Sequence, residues 1–347
     1  MRRQNGAQKR ATSRQPVCVL PFLVIPMTNG AMRVLTDDRA LALTFFPDAR
    51  ADSGAVDRHL HPFERALIEA LGGTGWACEL RVDEPFWWTV VVRSFSAVSQ
   101  FDALDRVLGA ATTLPGPVAC VALSGNHFHG QRGRAWAAAR GNLHMSAAVP
   151  VRLHAEHVGV GLSMLPAVAA VDAIADVTDG AVVPGIKWVN DILIGERKVG
   201  GVLTAAHSTG RAIDDVVWGI GINVEVAPPI TATPVVRATT SLRAQTCGAG
   251  VTVERVFRAL LASIARRHAQ LKCDGGRALL PAYRNRSVVI GRPVQVWKES
   301  ACLPDDPGRW GLPFAEGVVA DIGDDLSLRL HDQALPVTDG RLALRAQ

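Results

Sequence analysis

Three short stretches carry residue types that together could activate a carboxylic acid. In "GQRGRAW", Gly130 to Trp136, Arg132 and Arg134 sit among glycines beside an indole. Glycines let backbone N–H groups approach an anion closely, and guanidinium forks grip phosphate or carboxylate. In "KWVNDILI", Lys187 ends one expected strand, and Asn190 and Asp191 begin the next. In "GIGIN", Gly219 to Asn223, two glycines alternate with isoleucines inside a strand. That pattern marks close backbone approach by a ligand or another chain, or else a bulge. Each stretch alone also has a plain reading: a solvated loop, a snorkelling lysine beside an Asp-capped turn, a bulged strand.

Together they answer one chemical problem. Joining a carboxylate to a nucleotide phosphate brings two anions together, which costs about 4 kcal/mol at ~4 Å in a partly screening medium. Fixed cations (Lys187, Arg132, Arg134), backbone donors and a slot for a base lined by Trp136, Asn190 or Asn223 would meet that need. Asp191 could help hold Mg²⁺ through water or fix the lysine.

The elements around these stretches alternate. "FWWTVVVRSF" reads as a strand and "QFDALDRVLGAA" as an amphipathic helix, with Phe101, Leu104, Val107 and Leu108 at helical spacing. "PVACVAL" and "NLHMSAAVPV" read as strands around the glycine-rich loop, and "VGVGLSMLPAVAAVDAIADV" as a buried helix. "IGER" is the expected hairpin turn after "KWVNDILI", "DVVWGIGINVEV" the last strand of the series, and roughly 252–287 is helical. Short strands follow ("RPVQVW", "FAEGVVADI", "LSLRLH", "ALPV", "RLALR"), spaced as in a small barrel. Upstream, residues 31–84 mix strand-like "LALTFF" and "WACELRV" with a helix-like "FERALIEALGG". They lack the three successive helical patterns of a helix-turn-helix module.

Composition narrows the class. The 347 residues are 48% hydrophobic and 20% charged, which suits a globular chain. Lysine and arginine number 37 against 32 acidic residues, but residues 1–14 hold five basic residues and no acid, so the rest is balanced. A balanced body argues against DNA binding and against an RNA module built on the Arg-Gly loop. Six scattered cysteines without a C-x-x-C pair read as reduced, in a cytoplasmic protein. The basic start followed by "VCVLPFLVIPM" imitates a signal peptide, yet two prolines interrupt it and no cleavage site is clear. A basic tail entering a first strand is expected over 1–30. No segment reaches the ~20 uninterrupted apolar residues of a membrane span. His127, His129 and His144 lack convincing metal-ligand spacing, and "HAEH" is one residue short of a zinc-protease pattern.

The motifs "GxRGRxW…GNLxxS", "KWxNDxxxxxRKxGGxL" and "GIGINV", in this order and spacing, resemble the catalytic domain of biotin protein ligases within the biotin/lipoate protein ligase group. "ATTSLRAQ" is similar to the loop after the last catalytic strand, and "VVIGRPVQVW…GVVADIGDDLSLRL…VTDGRLAL" to the family's C-terminal SH3-like barrel. The resemblance covers roughly 90–345. It implies a mixed β-sheet flanked by helices, of the class II synthetase-like kind, over 85–287, and an SH3-like barrel over 288–347. Residues 31–84 remain a segment of unassigned role. It also implies two steps: acid and ATP give an acyl-adenylate and pyrophosphate, then a lysine of a carrier domain, such as a carboxylase carrier subunit, attacks the adenylate. ATP, Mg²⁺ and biotin are the implied cofactors and substrate, and a homodimer is possible within the group.

Carried over by position, Lys187 contacts the acid and the α-phosphate. Arg132, Arg134 and Trp136, with Gly130, Gln131 and Gly133, belong to a loop closing over the adenylate. Asn142, Trp188, Asn190, Asp191, Gly201 and Asn223 fall on the nucleotide and adenylate side. Val98, Ser99, Gly125, Asn126 and Gly200 mark the acid pocket. Here the sequence departs from the family pattern. His129 and Gln131 replace two arginines and Phe128 a glycine, with Gln131 where an arginine helps retain the adenylate. "AVSQF" replaces a Ser-Thr-Asn motif, keeping only the Ser99 hydroxyl, and the usual glutamine aligns with Gly125 or Asn126. Biotin is the leading acid. A lipoate- or octanoate-type ligase, or a non-catalytic nucleotide-binding member, is the alternative.

Overall fold

A computed structural model of the protein describes residues 31–51, 60–73, 78–83, 86–110, 112–248, 250–301 and 310–345. The expected basic tail and its signal-like run lie outside the described residues. Strands β1 (Met32–Thr36), β2 (Arg50–Ala51), β3 (Cys78–Val82), β4 (Thr89–Arg93), β5 (Val118–Ala122), β6 (Leu143–His154), β7 (Pro184–Lys187), β8 (Asp191–Ile194), β9 (Arg197–Thr209) and β10 (Ala212–Ile222) form one sheet. Its order is β2-β3-β1-β4-β5-β6-β10-β9-β8-β7. The β1–β4 and β4–β5 pairs are parallel and the others antiparallel, so the sheet is mixed, as expected. Residues 32–82 therefore supply three strands to the same sheet that carries "KWVND" and "GIGIN".

Helices cover both faces. Between β1 and β4 run α1 (Arg39–Phe45) and α2 (Pro62–Ala70), and α3 (Gln100–Gly109) follows β4. Ser99 caps α3, its Oγ accepting from Asp102 N at 3.2 Å, and Ala103, Leu104, Val107 and Leu108 go under it. Helices α2 and α3 cover one sheet face around Val91, Cys120, Ala148 and Val217. After β6 come α4 (Ala155–Val158) and α5 (Gly161–Val177). Helix α6 (Leu242–Gln245), α7 (Val253–Asp274) and α8 (Leu280–Asn285) follow β10. Helices α5 and α7 pack the opposite face, against Val121, Met145, Trp218 and Ile220.

Helix α5 is apolar on every side, the pattern of a helix enclosed by protein. By length and composition Ala155–Val177 could cross a membrane, but 72% of its most apolar window is buried inside this fold. Pro166 lies within it and has no N–H to give the Leu162 carbonyl four residues back. The Trp218 indole donates to that carbonyl instead, at 2.9 Å.

One upstream expectation is corrected. "LALTFF" is not a strand; Leu41–Phe45 fall in α1. The alternation Leu41, Leu43, Phe45 imitates a strand, but Asp38 accepts from Leu41 N at 3.1 Å and starts a helix. Phe45 then meets the edge of Phe257 on α7, with ring centroids 5.3 Å apart.

The C-terminal strands β11 (Pro293–Trp297), β12 (Ala315–Ile322), β13 (Leu328–Leu330) and β14 (Arg341–Leu344) make a separate antiparallel sheet, ordered β13-β12-β11-β14. "ALPV" is not a strand; only Val337 bridges, to Leu328. This sheet is tied to the larger one by side chains. Trp188 Nε1 donates to Leu326 O at 2.7 Å, and Arg237 donates to Leu344 O at 3.0 Å. Trp188→Phe keeps a buried aromatic ring but removes the donor to the Leu326 carbonyl. Urea unfolding of that variant should show a loss of about 1–3 kcal/mol.

Candidate active site

Strand register builds the floor of the site. Across five strands Lys187, Asp191, Gly201, Gly221 and His144 stand opposite one another in a single row. Paired residues of a sheet point to the same face, here the one covered by α3. Two residues along, Ser146, Gly219 and Leu203 form the next row on that face. The three glycines leave the floor bare. A Cβ on Gly221 would lie 2.4–2.5 Å from the Trp136 ring, and one on Gly219 would lie 3.3 Å from Phe101. The two glycines of "GIGIN" thus mark close approach of aromatic side chains, not a bulge.

Above this floor is a cavity of about 600 Å³, within the size range of small-molecule sites. One end is charged. Lys187, 4% exposed, donates to Asp191 Oδ2 at 3.4 Å and to the Val235 carbonyl at 2.6 Å. Lys198 Nζ lies 2.5 Å from Asp191 Oδ1. Burial opposes the charge on Asp191, but the Lys198 and Lys187 ammonium groups overcome it and hold the carboxyl well below its usual range. Burial lowers the Lys187 pKa, and Asp191 works against that shift. Asn190 and Asn223 border the same end, with side-chain amides donating to Val202 O and Thr240 O.

The arginine loop closes one wall. Gly130 N donates to Arg134 O at 2.7 Å and Trp136 N to Phe128 O at 2.9 Å, making a short ribbon. Its tip, Gln131–Gly133, turns through positive φ at Arg132 and Gly133. Arg132 and Arg134 each reach to 3.9 Å from Glu299, which belongs to the C-terminal part of the chain. Thr338 to Leu342 line the cavity beside them, so the second sheet completes the wall. Trp136 donates to His144 Nδ1 at 3.3 Å, and His144 Nε2 faces Ala139 O at 3.0 Å. Burial lowers the His144 pKa. A neutral ring protonated on Nε2 satisfies both contacts.

His129 tethers the loop to α3 through Asp102 Oδ1, 2.8 Å from Nε2. Burial disfavours its charge, but the bonds to Asp102 and the Gly130 carbonyl outweigh burial and raise its pKa. A raised folded pKa adds stability below the ordinary imidazole value, and that stability is lost as pH rises through the raised one. Amide exchange in 129–135, corrected for intrinsic rate, should therefore increase between about pH 6 and pH 8. Asp102→Asn should flatten that change.

The expected site residues divide accordingly. Lys187, Arg132, Arg134, Gly130, Gln131, Trp136, Trp188, Asn190, Asp191, Gly201, Asn223 and Ser99 all border the cavity. Trp188 does so with its indole N–H already committed to Leu326. Gly133, Asn142, Val98, Gly125, Asn126 and Gly200 do not line it. Gly133 is an exposed turn residue. Asn142 Oδ1 accepts from the amides of Val224, Glu225 and Val226, clamping the chain after β10. Gly125 lies under the Phe128 ring, which would touch its Cβ at 2.7 Å. Asn126 is exposed, and Val98 packs beneath α3. Gly200 pairs with Ile222 and so faces away from the row that holds Gly201. Asp191 does not suit Mg²⁺, because both its oxygens face ammonium groups. Among the described residues no group of three His, Cys, Asp or Glu side chains could hold a metal.

Several lining residues escaped the sequence reading. Lys198 and Ser146 stood inside the recognised motifs, "RKVGG" and "GNLHMS". Period-two spacing from His144 puts Ser146 on the same face. Glu299 and Arg341 gave no local signal, because they arrive from the other sheet.

The model of the biotin/lipoate A/B protein ligase family matches residues 113–223. A biotin--[acetyl-CoA-carboxylase] ligase of Paracoccus denitrificans is 30% identical over 207 residues, which cover 59% of this chain and 80% of that protein. The chain belongs to the biotin protein ligase family. A second ligase of the same name, from Mycobacterium tuberculosis, is 29% identical over 286 residues, 77% of this chain and 96% of its own length. Among solved structures, the Aquifex aeolicus biotin protein ligase in complex with biotin and ATP aligns with a TM-score of 0.56. The identity is 19%, over 74% of this chain and 99% of that one. That likeness is one of fold, and it agrees with the mixed sheet and flanking helices of this ligase.

Proposed function

We propose that the protein activates biotin with ATP and transfers it to a lysine of a carrier-protein domain. In the first step a biotin carboxylate oxygen attacks the α-phosphorus of ATP, and the bond to pyrophosphate breaks. In the second the carrier amine attacks the acyl carbon of biotinyl-adenylate, and AMP leaves. The observation that carries this reading is the cavity in which the cluster Lys187–Asp191–Lys198 adjoins a glycine floor against which Trp136 and Phe101 pack.

Lys187 answers the repulsion between carboxylate and α-phosphate. It is held in place before the substrates arrive, so little reorganisation is needed during reaction. Lys198 favours the ionised form of Asp191, and Asp191 in turn favours the charged form of Lys187 against its burial. Arg132 and Arg134 close the nucleotide side, and the loop they occupy excludes water from the adenylate. A divalent cation accompanying ATP would be held by the nucleotide's phosphates, since no group of three His, Cys, Asp or Glu side chains among the described residues could hold one. The lipoate- or octanoate-type alternative is not favoured, since the Paracoccus and Mycobacterium relatives are both named biotin ligases.

The test is transfer. Incubating the protein with ATP, biotin and a biotin-carrier domain should add one biotinyl mass to the carrier. Substituting the acceptor lysine by arginine should prevent it. Failure of transfer with several carrier domains, alongside transfer of lipoate, would contradict the reading.

A further inference from the structure

No described residue before Ser99 lines the cavity, so strands β1 to β3 and helices α1 and α2 do not touch it. Three ties nevertheless join these elements to Arg93–Ser99, the stretch that leads into the cavity. Strands β1 and β4 are parallel, with Thr36 beside Val92, so both end at the same edge of the sheet. Just beyond, Asp37 accepts twice from Ser94, Oδ1 from the backbone N at 3.0 Å and Oδ2 from the hydroxyl at 3.1 Å. Arg93 links Asp37 to α2. Its Nε lies 3.7 Å from Asp37 Oδ2, and its Nη1 donates at 3.0 Å to the Leu71 carbonyl just past that helix. Helix α2 in turn packs Phe63, Leu67 and Ile68 in one cluster with Leu104, Val107 and Leu108 of α3.

The loop after β5 holds the other side of this lead-in. Ser96 N donates to Ser124 O and Asn126 N to Ser96 O, each at 3.0 Å. Held from both sides, the chain reaches Ser99, which caps α3 and begins the run Ser99, Gln100, Phe101 that borders the cavity. Asp37 lies in the turn after β1, and neither the strand pairing nor the apolar core uses its side chain. A carboxylate accepting a backbone N–H makes a strong, directional bond.

The run it supports is far from the reacting groups. Gly219, beside the Phe101 ring, stands three strands across the sheet from Lys187. At about 4.8 Å per strand that is roughly 14 Å. Ser99 to Phe101 therefore face the part of the acid remote from its carboxylate, while Lys187 and the arginine loop face the reacting groups and the nucleotide.

We propose that β1 to β3, with α1 and α2, brace the acid side of the cavity, and that Asp37 is the positioning residue that fixes the lead-in to α3. This role presupposes the biotin-activating reading above. A wall already held in its bound geometry loses little freedom when a ligand arrives, and a misplaced one costs affinity.

The test is Asp37→Ala in the full chain, with biotin and ATP varied separately in a pyrophosphate-release assay. The expected result is a rise of about fivefold in KM for biotin, about the worth of one hydrogen bond, with KM for ATP and kcat within about twofold. Asp37→Asn keeps an acceptor for the Ser94 amide and should restore KM for biotin. If Asp37→Ala does not fold, Ser94→Ala, which removes only the hydroxyl contact, should raise the same constant selectively. A residue of purely structural importance would lower stability and the active fraction, hence kcat, and leave both KM values alone. An unchanged KM for biotin, equal rises for biotin and ATP, or a fall in kcat alone would overturn the proposal while wild-type turnover left the function standing. A wild-type protein without biotin-dependent turnover would overturn both.

Discussion

Lys187→Met lowers biotin-dependent pyrophosphate release by two to three orders of magnitude, the usual cost of losing one fixed charge-stabilising group. The geometry makes this a clean experiment. Methionine retains the length and apolar stem of the side chain. Asp191 is not orphaned, because Lys198 keeps its contact at 2.5 Å. Activity should therefore fall much further than stability, as a thermal melt run beside the assay will show. Asp191→Asn should behave in the opposite way. It leaves two ammonium groups together at a buried site, and breaking such a cluster costs about 3–5 kcal/mol. Turnover unchanged in Lys187→Met would show that the lysine does not stabilise the reacting anions.

Gly221→Ala should be nearly as damaging, although it adds only a methyl group. The new Cβ would fall 2.4–2.5 Å from two atoms of the Trp136 ring and 3.0 Å from its Nε1. Gly221 lies mid-sheet, paired on both sides, so the backbone cannot give way. Trp136 must move, and with it the bond to His144 and the ribbon that positions Arg132 and Arg134. We expect kcat/KM to fall at least tenfold and stability by about 1–3 kcal/mol, the usual penalty of overpacking. Steady-state kinetics and urea unfolding of the variant check both.

Much of this was legible beforehand, for identifiable reasons. Continuous apolar runs such as "TVVVR" and "VACVA", buried on both faces, and the helical spacing of Leu104, Val107 and Leu108 report burial directly. Strands β4 and β5 and helix α3 therefore followed from pattern alone. The charged end was legible too, because Lys187, Asn190 and Asp191 are close in sequence and meet across one hairpin. The acid end was harder, because it depends on which way a residue faces. Gly200 and Gly201 are neighbours in sequence but point to opposite faces. Gly125 serves the Phe128 ring rather than a ligand. "LALTFF" shows the same limit, since its alternation suits a strand until the Asp38 cap decides for a helix. Glu299 and Arg341 could not be found by pattern at all. They join the cavity only because Trp188 and Arg237 fasten the second sheet beside the first.

Adenylation is the central step of the proposed activity, and it can be measured without any carrier protein. Exchange of labelled pyrophosphate into ATP reports the reversible formation of an acyl-adenylate. With wild-type protein the exchange should depend on added biotin and disappear in Lys187→Met. Exchange that proceeds equally without biotin, or that never appears at saturating biotin and ATP, would contradict it.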